Sequence, residues 1–313
     1  MSAISRRAVL VGGAIVGCSR KEHAASVAPT SAPLTMPDAS ISRGATRLVT
    51  MTFGPESSGV SQTAAILVPT WGPSDAKYPV VVALHGRGEA LKGPERGALG
   101  WPRDYALTRA IERICSPPLT REDLEGFVDT ERLAELNREL AVRPFGGVIV
   151  ACPYLPDLDV RTFKDVRAYG KWLTQVFLPR VRRETPALST SEATGIDGVS
   201  LGGATALRVG LSLPEAFGAV GGIQPAVFED QAQEWTELAR LAKTKRPDLA
   251  LRLLTSHDDY YNAAITRLSQ AWRAGGVPHE YADVPGPHDY PFNRGPGAYE
   301  LLRWHDRALR RAR

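Results

Sequence analysis

The stretch Gly198-Val199-Ser200-Leu201-Gly202-Gly203 decides how this chain folds. It reads G-x-S-x-G and lies where a short strand, Thr194 to Val199, hands over to a helix. Leu201 to Leu213 is small and apolar and stops at Pro214, which fits a helix packed tightly on a sheet. A serine between two such elements occupies a sharp turn that projects its hydroxyl off the sheet edge. Glycine at 198 and 202 leaves out side chains that would collide where backbone approaches backbone. Asp197 is the one residue out of keeping with a buried strand. Ser200 is therefore a candidate nucleophile, and a glycine-rich helix entry with a capping serine is the competing reading.

Outward from this turn, strand and helix patterns alternate. Arg47 to Phe53 and Thr63 to Pro69 read as an opening strand pair around a Gly/Pro/Ser turn. Tyr78 to His85 is a continuous β-branched run, the mark of a strand buried on both faces, and Gly147 to Cys152 is another. Strands follow at 217–223, 249–255 and 280–284. Helical spacing covers 104–114, 163–183, 201–213, 228–245, 262–274 and 298–311. The alternation implies an α/β fold: a doubly wound, mostly parallel sheet flanked by helices, with an antiparallel pair at its start. Residues 117–144 exceed that plan. With a helical stretch at 130–140 they read as a rim insertion, either a lid or a longer connection.

A serine hydroxyl needs a base, and the base needs an orienting partner. In doubly wound sheets these belong at the carboxyl ends of the strands. Among six histidines, His288 follows the last strand in Val284-Pro-Gly-Pro-His288, where Gly286 and the prolines bend the loop back over the sheet. His257 is the rival base. His85 is expected to support the loop after its strand, His279 and His305 to be structural or solvated, and His23 to lie in a tether. The acid follows the strand ending at Thr255: Asp259 by its spacing, with Asp258 as the alternative. The order Ser200, Asp259, His288 is Ser…Asp…His. The glycine-rich turn after His85 offers a backbone N–H to an oxyanion, from Arg87 or alternatively Gly88, and Leu201 N–H is the second donor. The Arg87 side chain is expected to pair with Glu89.

With these residues the sequence resembles the α/β-hydrolase superfamily over about 47–313. It is most similar to the esterase group that includes esterase D, feruloyl and acetyl-xylan esterases and polyester depolymerases. The resemblance rests on His85-Gly86, Gly198 to Gly203, Asp259 and Gly286-Pro-His288. It implies hydrolysis of small-molecule or polymeric esters through an acyl-enzyme on Ser200, without a cofactor. The turn before the acid begins at Ser256 where the group commonly has glycine. Two other readings stay open: a serine peptidase of the prolyl-oligopeptidase type, and a non-catalytic, surface-anchored binding protein.

The amino terminus has a different character. Ser5-Arg6-Arg7 precedes a short apolar run, Ala8 to Gly17, too short to span a bilayer but suited to the core of a signal peptide (1–17). The paired arginines resemble a twin-arginine export signal. Ile15-Val16-Gly17-Cys18 resembles a bacterial lipobox that would leave Cys18 lipidated, and a plain secretory signal is the alternative. Residues 18–44, rich in Ala, Ser, Pro and Thr, read as anchor and flexible tether, with the folded domain at 45–313. An exported, membrane-anchored lipoprotein of the cell envelope is expected. Cys115 and Cys152 are read either as a disulfide or as two buried thiols. No spacing suggests a metal site. The formal charge of +4 on 313 residues, 43% apolar and 23% charged, gives no nucleic-acid footprint, and the basic run Arg307 to Arg313 reads as a solvated helix end.

Overall fold

The computed structural model describes residues 42–55 and 61–310. The expected signal peptide, Cys18, His23, most of the tether and the last three residues lie outside them.

Among the described residues eight strands form one sheet: β1 (Thr46–Phe53), β2 (Gln62–Pro69), β3 (Val80–Leu84), β4 (Ile149–Pro153), β5 (Thr194–Gly198), β6 (Ala219–Ile223), β7 (Ala250–Asp258) and β8 (Glu280–Pro287). Their order across the sheet is β1-β2-β4-β3-β5-β6-β7-β8. β1 pairs antiparallel with β2, and β2 antiparallel with β4. Every later pairing is parallel. From β3 the chain steps outward to β4 and then back across β3 to β5. The carboxyl ends of β3 and β5 thus flank a topological switch point, where doubly wound sheets bind ligands.

Alternation within the strands divides the core into two layers. Val80, Val82 and Leu84 face one side, with Phe177, Leu207, Trp235, Ile265 and Trp272. Val81 and Ala83 face the other, with Trp101, Ile111, Leu136, Leu301 and Trp304. Helices Leu201–Ser212, Ala232–Lys245 and Asn262–Ala274 cover the first face, and Leu107–Ile114, Thr130–Val142 and Ala298–Arg310 the second. Each large side chain that is fully buried contributes roughly 1.5–3 kcal/mol by leaving water.

Several boundaries differ from the sequence reading. β8 runs through Pro287, beyond the expected end at 284. The helix at 166–184 carries a π-helical turn at Leu173–Phe177, and the Thr174 hydroxyl bonds back to Gly170 O at 3.0 Å. The expected helix at 104–114 is interrupted, because Ala106 adopts the left-handed conformation with φ 50°.

The insertion at 117–144 lies along a flank. Leu119, Leu124, Val128, Leu136 and Leu140 are buried in the layer that contains Trp304. Asn137 brackets the Leu119 backbone, accepting from its N–H at 2.6 Å and donating to its carbonyl at 2.9 Å. Arg132 pairs with Glu300 at 2.7 Å, and Glu139 with Arg303 at 2.6 Å. Packed and ion-paired in this way, it is a cover over helix Ala298–Arg310. Cys115 and Cys152 are both free thiols. Burial raises the pKa of each, Cys115 to about 11.

Candidate active site

The turn after β5 has the geometry its glycines demand. Ser200 sits at φ 57°, ψ −118°, a conformation that side-chain-bearing residues rarely adopt. A Cβ on Gly198 would lie 2.6 Å from the Gly202 carbonyl carbon, and one on Gly202 would lie 2.4 Å from Leu84 O and 2.5 Å from His85 O. The helix that begins at Leu201 therefore rests directly on the end of β3. Hydrogen bonds from Ser200 N to Ile223 O and from Ala226 N to Ser200 O, both 3.0 Å, hold the turn against β6.

Asp259 follows β7 and is 5% exposed. Its Oδ1 accepts from His288 Nδ1 at 2.8 Å and from Tyr261 N at 2.9 Å, and its Oδ2 accepts from the Thr255 hydroxyl at 3.0 Å. Asp258 is exposed, so of the two expected acids only Asp259 engages the histidine. His257, the rival base, is exposed and faces Asp283 at 3.9 Å.

Two residues that the sequence reading passed over connect these parts. Gln224, fully buried and in the left-handed region at φ 43°, donates to Ser256 Oγ at 2.5 Å and to Pro287 O at 2.9 Å. It thereby ties the strand beside Ser200 to the residue before His288. Tyr260 follows Asp259 and is 70% exposed. Its ring lies 4.3 Å from the His288 ring, tilted by 36°. Asp259 and His288, distant in sequence, thus meet beside Tyr260, and Ser200 follows β5 at the same carboxyl edge of the sheet. The only sequence signal for Tyr260 is its place beside Asp259, and Gln224 carries none.

Leu201 and Arg87 each open a helix, Leu201–Ser212 and Arg87–Ala90. First-turn N–H groups have no acceptor within their own helix. Gly86 N is engaged with the Tyr105 hydroxyl at 3.1 Å. The orientation of Arg87 N–H is set from behind. Leu155 N donates to His85 Nε2 at 2.9 Å, so His85 carries its proton on Nδ1 and donates it to Gly86 O at 2.9 Å. In a planar trans peptide the Arg87 N–H points opposite to that carbonyl. Burial lowers the His85 pKa to about 4 and keeps the ring neutral. His85 thus supports its loop as expected. His279 bonds Ser269 and Val277, and His305 is buried against Asp197. The expected Arg87–Glu89 pair is absent. Arg87 reaches out to Asp157 at 2.9 Å, because Glu89 is 1% exposed and turned inward.

Asp197 is likewise buried, and its presence in a strand has a specific cause. It accepts from Gly198 N at 2.8 Å, Arg252 Nη2 at 2.7 Å and His305 Nε2 at 3.1 Å. Burial pushes its pKa up, but the Arg252 charge and the His305 hydrogen bond outweigh this, and the net shift is downward. A cleft of about 480 Å³ between helices Thr130–Val142 and Ala298–Arg310 contains none of the candidate site residues. Among the described residues no cluster of three or more His, Cys, Asp or Glu side chains suits a metal ion, and no helix is long and apolar enough to cross a membrane.

No family model matches the chain, and no curated protein is detectably similar to it. Solved structures are. A ferulic acid esterase aligns at 17% identity over 84% of this chain and 99% of its own, with a TM-score of 0.64. An S-formylglutathione hydrolase from Staphylococcus aureus aligns at 14% identity over 84% and 97%, with a TM-score of 0.60. A ferulic acid esterase from Anaeromyces mucronatus, solved with ferulic acid, aligns at 15% identity over 84% and 91%, with a TM-score of 0.55. The fold is that of the α/β-hydrolases. β5, β6, β7 and β8 run parallel, so Ser200, Asp259 and His288, which follow β5, β7 and β8, lie along one edge of the sheet.

Proposed function

We propose that this chain is a serine hydrolase that cleaves carboxylic esters through an acyl-enzyme on Ser200. The observation that carries the reading is the 2.8 Å hydrogen bond between buried Asp259 and His288 Nδ1, beside a Ser200 held in a strained turn. With Nδ1 engaged by the carboxylate, His288 presents Nε2 as the base. Ser200 Oγ attacks the ester carbonyl as its proton passes to Nε2. The oxyanion rests on the N–H groups of Leu201 and Arg87, with Gly88 as the alternative to Arg87. Collapse expels the alcohol, which takes the proton from His288, and water repeats the sequence to release the acid. The esterases and serine hydrolases among the structural neighbours support this chemistry at the level of fold.

The test is hydrolysis of p-nitrophenyl acetate by the purified protein and by Ser200→Ala. Turnover by the first and loss of at least about 10³-fold in the second is the expected result. Undiminished turnover in Ser200→Ala refutes the assignment. A wild type unreactive toward a fluorophosphonate probe points instead to a binding protein, and preference for dipeptidyl anilides over esters to a peptidase.

We further propose, from the sequence of residues 5–18, that the chain is exported and held in the cell envelope by lipid on Cys18. Labelling of cells with a palmitate analogue is expected to mark the wild type and not Cys18→Ala.

A further inference from the structure

Glu89 is a carboxylate with almost no contact with water, one helical turn beyond the end of β3. Such a group persists only where donors satisfy it. The Tyr105 hydroxyl donates to Glu89 Oε2 and accepts from Gly86 N. The Tyr290 hydroxyl donates to Glu89 Oε1 at 2.5 Å. The Lys92 ammonium bonds Glu89 Oε1 at 3.3 Å, Asp104 Oδ2 at 2.7 Å and the Tyr290 hydroxyl at 3.3 Å. Tyr105 and Tyr290 also pack ring to ring at 5.7 Å.

The partners come from different parts of the chain. Gly86, Glu89 and Lys92 belong to the loop that presents Arg87 N–H. Tyr290 lies two residues beyond His288. The two loops also touch directly, since a Cβ on Gly88 would lie 2.9 Å from the Tyr290 hydroxyl.

We propose that Glu89 is the hub of a clamp, with Tyr105, Tyr290 and Lys92, that fixes the loop carrying the Arg87 oxyanion donor relative to the loop carrying the base, and that these are positioning residues for catalysis. The proposal rests on the ester-hydrolase reading above. None of the four need touch substrate. Their effect is geometric: the donor must stand about 3 Å from an oxyanion that forms while His288 holds the Ser200 proton. Lys92 is shared between Glu89 at 3.3 Å and Asp104 at 2.7 Å, so the cluster is not an electrostatic aid to the developing anion and acts by holding position.

The experiment compares wild type, Ser200→Ala, Glu89→Gln and Tyr290→Phe in steady-state hydrolysis of p-nitrophenyl acetate, with thermal unfolding of each. Glu89→Gln keeps the shape and one acceptor oxygen but loses the charge and the second acceptor. Tyr290→Phe removes one hydroxyl from a partly exposed ring, so its fold is retained. The expected result is a fall in kcat of about 10–100-fold for Glu89→Gln and about 3–10-fold for Tyr290→Phe, with KM within about twofold and melting temperatures within a few degrees of wild type. Wild-type kcat in Tyr290→Phe and Glu89→Gln, with Ser200→Ala inactive, overturns the clamp and leaves the esterase reading intact. A rise in KM alone, or a loss restored by assaying below the unfolding range, also overturns it by assigning the cluster to binding or to stability. Full activity in Ser200→Ala overturns the reading beneath it.

Discussion

Ser200 shows how much of a site a few residues can specify. Its φ of 57° is a strained conformation of order 1–3 kcal/mol, kept because the turn is closed on every side. Gly202 is the most sensitive point of that closure, with two backbone oxygens within 2.5 Å of where a Cβ would stand. Gly202→Ala is expected to lower stability by about 2 kcal/mol or more and to abolish ester hydrolysis, measured by thermal unfolding and by turnover. Tyr260 is a second residue-scale test. Its ring rests on His288, a contact worth about 0.5–1.5 kcal/mol. Tyr260→Ala is expected to lower kcat by about 3–10-fold while lowering the melting temperature by no more than a few degrees, and unchanged kcat removes Tyr260 from the site. Ser200, Asp259 and His288 can be singled out as candidates in the sequence because each carries its own local mark: a glycine frame, a strand end, a proline-rich loop. Glu89, Tyr105, Tyr290 and Gln224 carry none. Their meaning is entirely in their partners, as with Tyr290 and Glu89, which meet across some two hundred positions.

At the scale of elements, apolar runs reported strands faithfully and loops poorly. Tyr78 to His85 and Gly147 to Cys152 became β3 and β4 because nothing polar interrupts them. β5 was harder to read. Asp197 looks like a loop residue, yet it is fully buried because Arg252 from β7 and His305 from the last helix neutralise and bond it. A periodicity argument cannot see partners that arrive from other elements. The turn begins one residue later, and Asp197 Oδ1 receives the Gly198 N–H, so this ion cluster also braces the turn that carries Ser200. Asp197→Ala leaves Arg252 buried without its nearest anion and is expected to destabilise the fold by about 3–5 kcal/mol, read as a lower midpoint in urea. A change below about 1 kcal/mol shows the cluster to be dispensable. The insertion at 117–144 was legible as an element but not in its placement. Its helix carries apolar residues for one face, and only the tertiary pairs to Glu300 and Arg303 reveal that this face lies on the last helix.

For the molecule as a whole, the burial of titratable groups beneath the sheet edge sets how it responds to acid. Glu300 is 6% exposed. Burial alone raises its pKa, but the charges of Arg303, Arg132 and Arg252 prevail and hold it at about 2, below an ordinary 4.5. A carboxylate with a depressed folded-state pKa contributes stability above its unfolded value and loses it as pH falls from about 4.5 toward 2. His85 acts in the same direction from a higher starting point. Its folded pKa of about 4, against 6.5 when free, means that the unfolded chain takes up a proton the folded chain refuses. Its contribution is complete above about pH 6.5 and disappears between 6.5 and 4. At 1.36 kcal/mol per unit each shift corresponds to about 3 kcal/mol, a large share of the 5–15 kcal/mol typical of a folded domain. Unfolding free energy is therefore expected to be level above neutrality, to fall as pH drops from 6.5 to 4, and to fall further below 4.5 as Glu300 gains its proton. His85→Asn keeps a side-chain N–H near Gly86 O while removing one titration, so the upper part of that slope should become shallower in this variant, the remainder belonging to His279 and His305, whose pKa values burial also lowers, and the lower part should remain. Urea unfolding at half-unit intervals of pH decides it: a wild-type curve that stays level down to pH 4, or an unaltered slope in His85→Asn, means that burial of His85 does not control the acid limb.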